Sequence, residues 1–198
     1  MLAATVPTLV PSDAPPRKRF TRSEVETMIN LEIFAGQKFE LIDGDLIDKM
    51  GQNPPHAYLI ARIVKLLSRL FDMDLIRVQS SIEVHSSDRE RSWPEPDIAV
   101  LAEAKLEYRH RHPSGNELVL LVEVADSSVQ QDSGFKRDLY ARAGVPEYWV
   151  LDINGRKLIV HREPRDGKYG QVQILGDDAA ASIELLPGAS MPVAAMLA

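Results

Sequence analysis

Glu123 is the one charge in an otherwise apolar run, Leu118 to Val124 (LVLLVEV). A run of that length and composition reads as a strand buried on both faces. A carboxylate inside it needs a partner, because isolated charges are rarely taken out of water. Two kinds of partner are open, a metal ion or an ion pair with a cation such as Lys136 or Arg137. Asp97 opens a second apolar strand, Ile98 to Leu101, just after Trp93-Pro94-Glu95-Pro96, whose prolines keep the preceding residues extended. If the two strands are neighbours, Asp97 and Glu123 converge on one hard divalent cation. Mg²⁺ takes one or two carboxylates, completing its shell with water and substrate phosphate. Such an ion polarises a phosphoryl group and lowers the pKa of its bound water. Lys136, one turn into the helix that follows the Glu123 strand, offers an ammonium to developing phosphoryl charge or to an attacking water. Glu40, opposite the apolar face of a hairpin strand, is a third acidic candidate.

Judged singly, three of these residues have plainer readings. Asp97 is a turn residue before a strand, Lys136 a solvated helix charge and Glu40 a carboxylate facing water. His56 reads as a helix N-terminal residue. Tyr140 shares a helix face with Asp132 and Lys136 at i, i+4 spacing and reads as a core or rim aromatic.

The elements that must position these groups follow from periodicity and turn signals. Residues 1 to 19 form a loosely attached arm, with Pro7, Pro11, Pro15 and Pro16 and no periodicity. Thr21 or Ser23 caps a helix over about 24–34, and Gly36 stops it. In KFELIDGDLIDKM (38–50), Asp43-Gly44 between alternating runs specifies a hairpin. Pro54-Pro55 precede a helix from His56 to Asp72, with an apolar stripe at Leu59, Ile60, Ile63, Leu66, Leu67 and Leu70. Leu75 to Val84 reads as one or two strands, and residues 102–116 are irregular. The Glu123 strand, a helix through Lys136 ended by Gly144, and a strand from Glu147 to Ile153 have the size of one parallel crossover unit. Leu158–His161, Tyr169–Ile174 and Ser182–Leu186 read as antiparallel strands, with a closing helix over 191–197.

The 198 residues suit one domain with a sizeable core, placed at residues 20–198. The absence of cysteine excludes disulfides, zinc–thiolate sites and thiol catalysis. No run of 18 apolar residues occurs, and the basic residues follow the apolar N-terminal segment instead of preceding it, so a cytoplasmic protein is expected. The net charge of −6 gives no overall nucleic-acid signature. Local basic clusters exist at Arg17-Lys18-Arg19, at Arg62, Lys65 and Arg69, and at Arg109 with Arg111. No Gly-rich phosphate loop, GxSxG or HExxH is present, which leaves nucleotide-binding, serine-hydrolase and zinc-protease readings without a motif.

The segments FELIDGDL (39–46), PPH (54–56), PEPDIAV (94–100), LLVEVADSS (120–128) and YARAGVPEYWVLD (140–152), with the Asp132–Lys136–Tyr140 spacing, resemble the Uma2 family, also called DUF820, of the PD-(D/E)XK nuclease superfamily. The likeness runs from about residue 20 to the C-terminus. It implies an α/β (α+β) restriction-endonuclease-like core, a central mixed sheet flanked by helices, with an extra N-terminal helix and hairpin and C-terminal hairpins. It places the family's acidic pair on Asp97 and Glu123 and its first-motif glutamate on Glu40. The superfamily's usual lysine stands two residues after the second acid, where this chain has Ala125. The resemblance moves that role to Lys136 on the following helix. The implied activity is an endonuclease cutting DNA with Mg²⁺ or Mn²⁺ held by Asp97, Glu123, Glu40 and the carbonyl of Val124. His56, Asp132 and Tyr140 would form a supporting shell, in a homodimer by analogy with nucleases of this fold. The other class of reading is a catalytically silent nucleic-acid-binding or scaffold protein, in which the same carboxylates form a structural ion-pair cluster.

Overall fold

The structure, a computed structural model, describes residues 17–49, 54–126, 128–129 and 132–198. Residues 1–16 of the expected arm lie outside the described residues, as do Met50 at the hairpin's end and Ser127 after the Glu123 strand. The elements in chain order are α1 (Arg22–Asn30), β1 (Phe39–Ile42), β2 (Asp45–Asp48), α2 (Pro54–Leu67), β3 (Ile76–Val78), β4 (Ile98–Leu101) and β5 (Leu118–Ala125). A π-turn (Asp132–Lys136) then runs into α3 (Arg137–Arg142), followed by β6 (Glu147–Asp152), β7 (Lys157–Arg165), β8 (Lys168–Gly176), β9 (Ala180–Ile183), β10 (Leu186–Pro192) and α4 (Val193–Leu197).

The central sheet has the order β3-β4-β5-β6-β7-β8. It is mixed: β5 and β6 run parallel, and the other neighbours antiparallel. The crossover expected between the Glu123 strand and the Glu147 strand is therefore present. All eight residues of β5 are buried, as its apolar run requires. Alternation then sorts the sheet's side chains. Val122, Val124, Trp149 and Leu151 pack against α2 and α4, while Leu121, Ala125, Tyr148 and Val150 pack against α3 through Tyr140. Glu123 has the parity of Leu121 and Ala125, so it faces the α3 side.

Several elements depart from the expected boundaries. Thr21 caps α1 in a capping box with Glu24. The helix ends at Asn30, ahead of the expected residue 34, because Glu32 takes a left-handed φ of 55°. α2 begins at Pro54, since proline is tolerated where a helix has no use for its N–H, and gives way to turns after Leu67. Asp43 and Gly44 both have positive φ, the geometry of a two-residue hairpin turn joining β1 and β2. The irregular stretch 102–116 contains two short 3₁₀ turns. α4 is anchored to α2 by the Arg62 guanidinium, which donates to the Ala195 carbonyl. That contact gives Arg62 a structural role. Arg19 pairs with Asp43 and Asp45, and Arg111 with Glu107 and Glu117, so parts of the other two basic clusters are also engaged locally.

A row of packed aromatic rings fills the α3 side of the sheet. Tyr140 meets Tyr148 at 5.0 Å between ring centroids, and Tyr148 meets His161 at 5.3 Å. His161 is buried with its Nδ1 3.2 Å from the Tyr148 carbonyl, and burial pulls its pKa down to about 4. In an unfolded chain the imidazole titrates near ~6.5. As pH falls, the unfolded chain takes up this proton first, so the group's depressed pKa costs stability only below ~6.5. The expected outcome is a stability that declines between ~6.5 and about 4, by at most ~3 kcal/mol at ~1.36 kcal/mol per pH unit. Urea denaturation across that window should show a flatter profile for His161→Gln than for the wild type.

Candidate active site

The register of β4 on β5 pairs Ile98 with Val122, which sets Asp97 opposite Glu123 one step further along. The backbone closes this corner. The Val124 N–H donates to Asp97 Oδ2 at 2.9 Å, and the Asp97 N–H reaches Glu123 Oε2 at 3.4 Å. Pro94 and Pro96 hold the chain extended into β4, and that is what fixes Asp97 at the strand's mouth.

The hairpin brings the third acid. Glu40 alternates with Phe39 and Leu41 along β1 and is buried, where the residue judged alone read as facing water. It is covered because the π-turn lays Lys136 over that face. The Lys136 ammonium lies 2.6 Å from Glu40 Oε1, 3.1 Å from Glu123 Oε1 and 3.4 Å from Asp132 Oδ1. Tyr140, one helical turn on, donates its hydroxyl to Glu123 Oε1 at 2.9 Å. His56, in the first turn of α2, stands 3.2 Å from Asp97 Oδ2 through Nε2. All seven side chains expected from the sequence (Glu40, His56, Asp97, Glu123, Asp132, Lys136 and Tyr140) are thus linked in one network. Glu40, Asp97 and Glu123 are each 3% exposed, Asp132 2% and Lys136 4%.

Four residues join the network that sequence reasoning left out. The Ser128 hydroxyl donates to Asp132 Oδ2, and the Tyr148 hydroxyl donates to the Asp132 carbonyl at 3.1 Å. The Glu95 N–H reaches Glu40 Oε2 at 3.3 Å, while Lys49 Nζ donates to the Glu95 carbonyl and pairs with its carboxylate at 3.4 Å. Ser128 had a signal, being four residues before Asp132. Lys49 and Glu95 had none, since they meet only because Leu41 and Trp93 form a bridge between distant segments.

Burial and charge split the two facing acids. For Glu123, burial raises the pKa, and the neighbouring charges of Asp97, Asp132 and Glu40 add to it against the pull of Lys136. For Asp97, burial works upward too, but the hydrogen bond and charge of His56, the Val124 N–H and Lys49 outweigh it and hold the carboxyl low. Asp97 in turn raises the imidazole of His56 against burial. Burial opposes the Lys136 ammonium, yet Glu123, Glu40 and Asp132 together keep it charged well beyond the usual lysine range. Burial also raises Asp132 and Tyr140. Two carboxylates driven apart in pKa are the usual mark of groups with separate proton roles.

The acidic groups at this corner offer oxygens, and the four carboxyls outnumber the two cations, Lys136 and His56, so that Glu123 and Asp132 meet part of the excess by holding protons. That chemistry fits a hard divalent cation and not a soft one. Among the described residues no three His, Asp or Glu side chains stand at metal-holding spacing. The donors that fit are therefore the facing pair Asp97 and Glu123, a number sufficient for an ion that keeps several waters.

Removing the lysine should expose the cost of this arrangement. Breaking a buried ion pair from one side typically costs ~3–5 kcal/mol. Lys136→Met should lose about that much at pH 8 and less at pH 5, where Glu123 and Asp132, already raised, take up protons instead. Urea denaturation at the two pH values reads the difference. An equal loss at both would show that the ammonium is not what keeps these carboxylates charged.

The comparisons with known proteins agree with the geometry. A crystal structure described as "a putative nuclease belonging to DUF820", from Anabaena variabilis ATCC 29413, matches with a TM-score of 0.62 over 80% of this chain and 89% of that one, at 12% sequence identity. At that identity the likeness speaks for the fold. No curated protein matches. The sequence profile of Uma2, described as "Putative restriction endonuclease", matches residues 25–194. With its mixed sheet and with Asp97, Glu123 and Lys136 gathered at one corner, the chain belongs to the Uma2 family of restriction-endonuclease-like nucleases.

Proposed function

We propose that the protein is a metal-dependent endonuclease that hydrolyses the phosphodiester bonds of DNA. The observation that carries this reading is the excess of buried carboxylates, Glu40, Asp97, Glu123 and Asp132, over the two cations beside them, Lys136 and His56. The pKa values of Glu123 and Asp132, raised by burial and by neighbouring carboxylates, mark what that excess costs, since part of it is met only by holding protons. A closed ion-pair cluster kept only for structure has no use for that cost, which weighs against the catalytically silent scaffold.

In this proposal Asp97 and Glu123 hold Mg²⁺ or Mn²⁺, with the Val124 carbonyl as a further ligand. Glu40 would be a third carboxylate ligand and would have to exchange its Lys136 contact for the cation. When bound, the ion polarises the phosphoryl group and activates water for in-line attack. The chain's own residues do the rest. His56 and the Val124 N–H fix the Asp97 carboxylate in one orientation. Tyr140 does the same for Glu123 Oε1. Lys136 shares Glu123 Oε1 and can turn its ammonium toward the phosphoryl oxygens, where negative charge builds up, or hold the attacking water. Asp132 and Ser128 keep that lysine in place. A cytoplasmic homodimer, with one site for each strand of the duplex, completes the reading. None of the helices among the described residues is long and apolar enough to cross a membrane.

Cleavage of supercoiled and linear plasmid in Mg²⁺ or Mn²⁺ tests the proposal. The wild type should nick in proportion to metal, while Asp97→Asn, Glu123→Gln and Lys136→Ala should each lose roughly a hundredfold or more in rate. The same ions should raise the wild-type melting temperature with concentration and leave that of Asp97→Asn unmoved. A folded wild type that neither cuts DNA nor responds to either ion would overturn the reading.

A further inference from the structure

Behind the carboxylate corner lies a cavity of about 730 Å³, between the end of α1, the start of β1 and the segment that leaves β3. Its volume falls within the usual range of small-ligand sites, roughly 300–1,000 Å³. Four aromatic rings line it: Phe34, Phe39, Trp93 and His112. Phe34 and Phe39 meet edge to face at 4.7 Å, and Trp93 and His112 do so at 6.3 Å. The Arg22 guanidinium stacks on Trp93, 4.6 Å from the ring centroid. Two carboxamides, Gln37 and Gln79, are also in the wall, and Lys38 contributes a cation.

The cavity and the proposed catalytic corner share their backbone. Leu41 lines the cavity and is the chain neighbour of Glu40, whose side chain points the other way along β1. Glu95 lines the cavity, stands two residues before Asp97, and sends its N–H to Glu40 Oε2. The N–H of Gln79 donates to the Asp97 carbonyl at 2.9 Å. Three wall residues are thus tied directly to two of the acids. The cavity and the acids lie on the two sides of β1, joined through its backbone and the segments hydrogen-bonded to it.

We propose that the cavity takes one unstacked nucleobase next to the scissile phosphodiester, so that an unpaired nucleotide is part of the substrate. The inference rests on the nuclease reading and narrows it. Aromatic faces accept any base by stacking, and carboxamides can meet the edge of a base that is not engaged in pairing. A fully paired duplex has first to give up a base from its stack, whereas a single strand, bulge or mismatch does not. Lys38 stands at the same wall to meet the nucleotide's phosphate; of the two acids there, Glu32 and Glu95, Lys49 neutralises Glu95.

The test uses the full chain in EDTA, where binding is read without cutting, and short oligonucleotides carrying the fluorescent base 2-aminopurine. The wild type should bind the single strand more tightly than the same sequence as a duplex and should quench 2-aminopurine as it stacks. Phe34→Ala removes a ring from a half-buried position in a turn. Ala35→Trp instead places bulk in the cavity from an exposed position, so misfolding of both is not expected. Each should weaken single-strand binding by about tenfold, the scale of one lost base stack, abolish the quench, and so remove most of the preference for the single strand over the duplex. Wild-type quenching that persists in both variants would overturn the base site while leaving the nuclease reading intact. A wild type that binds no oligonucleotide, and cuts none when Mg²⁺ is restored, would overturn both.

Discussion

The Lys136 ammonium is the charge on which the rest of the corner depends. Glu40 comes from a hairpin, Glu123 from the central strand β5 and Asp132 from the crossover, and they meet at this one cation. Without it three carboxylates would be buried with too little to offset the loss of water. Even with it the account does not close, since buried ion pairs seldom repay their own desolvation. Glu147 shows how a lone buried carboxylate is met: Oε1 accepts from Trp149 and Arg162, and Oε2 from the Glu184 N–H. Glu123 is met in the same way, Oε1 by Lys136 and Tyr140 and Oε2 by the Asp97 N–H, but it shares its cation with Glu40 and Asp132. Burial and that sharing drive the Glu123 pKa up, where Glu147 has Arg162 to itself among the described residues.

The sheet explains why that cluster can be held in place. β5 is flanked by an antiparallel neighbour carrying Asp97 and a parallel neighbour, β6, and is packed on both faces. A parallel pair demands a crossover, and the crossover is the segment that delivers Asp132, Lys136 and Tyr140. The same topological choice therefore buries the acid and returns its counter-charge. In open α/β sheets ligands usually bind at the ends of the strands, beside the segments that connect them.

How much of this could be read from the residues follows from range. Asp43-Gly44 specifies its turn locally, and the stripe of α2 specifies its buried face locally, so both were legible. Glu123 was legible because seven apolar and one acidic residue in β5 leave the acid no exposed face. The burial of Glu40 was not. Alternation on β1 says only that it points away from Leu41, and what covers that side comes from almost a hundred residues further on. Lys49 and Glu95 depend on a two-residue bridge between Leu41 and Trp93, a contact with no periodic signature. The end of α1 was misplaced for a different reason. Glu32 adopts a left-handed backbone that sequence would assign to glycine, so the stop was expected at Gly36.

The packing around position 125 shows why no lysine stands there. Position 125, two residues past Glu123 on the same face of β5, is an alanine with no exposure, packed among Leu121, Tyr140 and Val150. A lysine side chain there would have to displace these contacts in a core that tolerates little extra volume. The ammonium reaches Glu123 from the opposite direction, off the crossover. A wider π-turn over Asp132–Lys136 opens this segment, and such widenings often occur at functional sites. From it Lys136 reaches both Asp132 and Glu123, and Tyr140, four residues on in α3, reaches Glu123 as well. The small residue on the strand leaves room for Tyr140, and the same segment that carries Tyr140 brings the ammonium to Glu123.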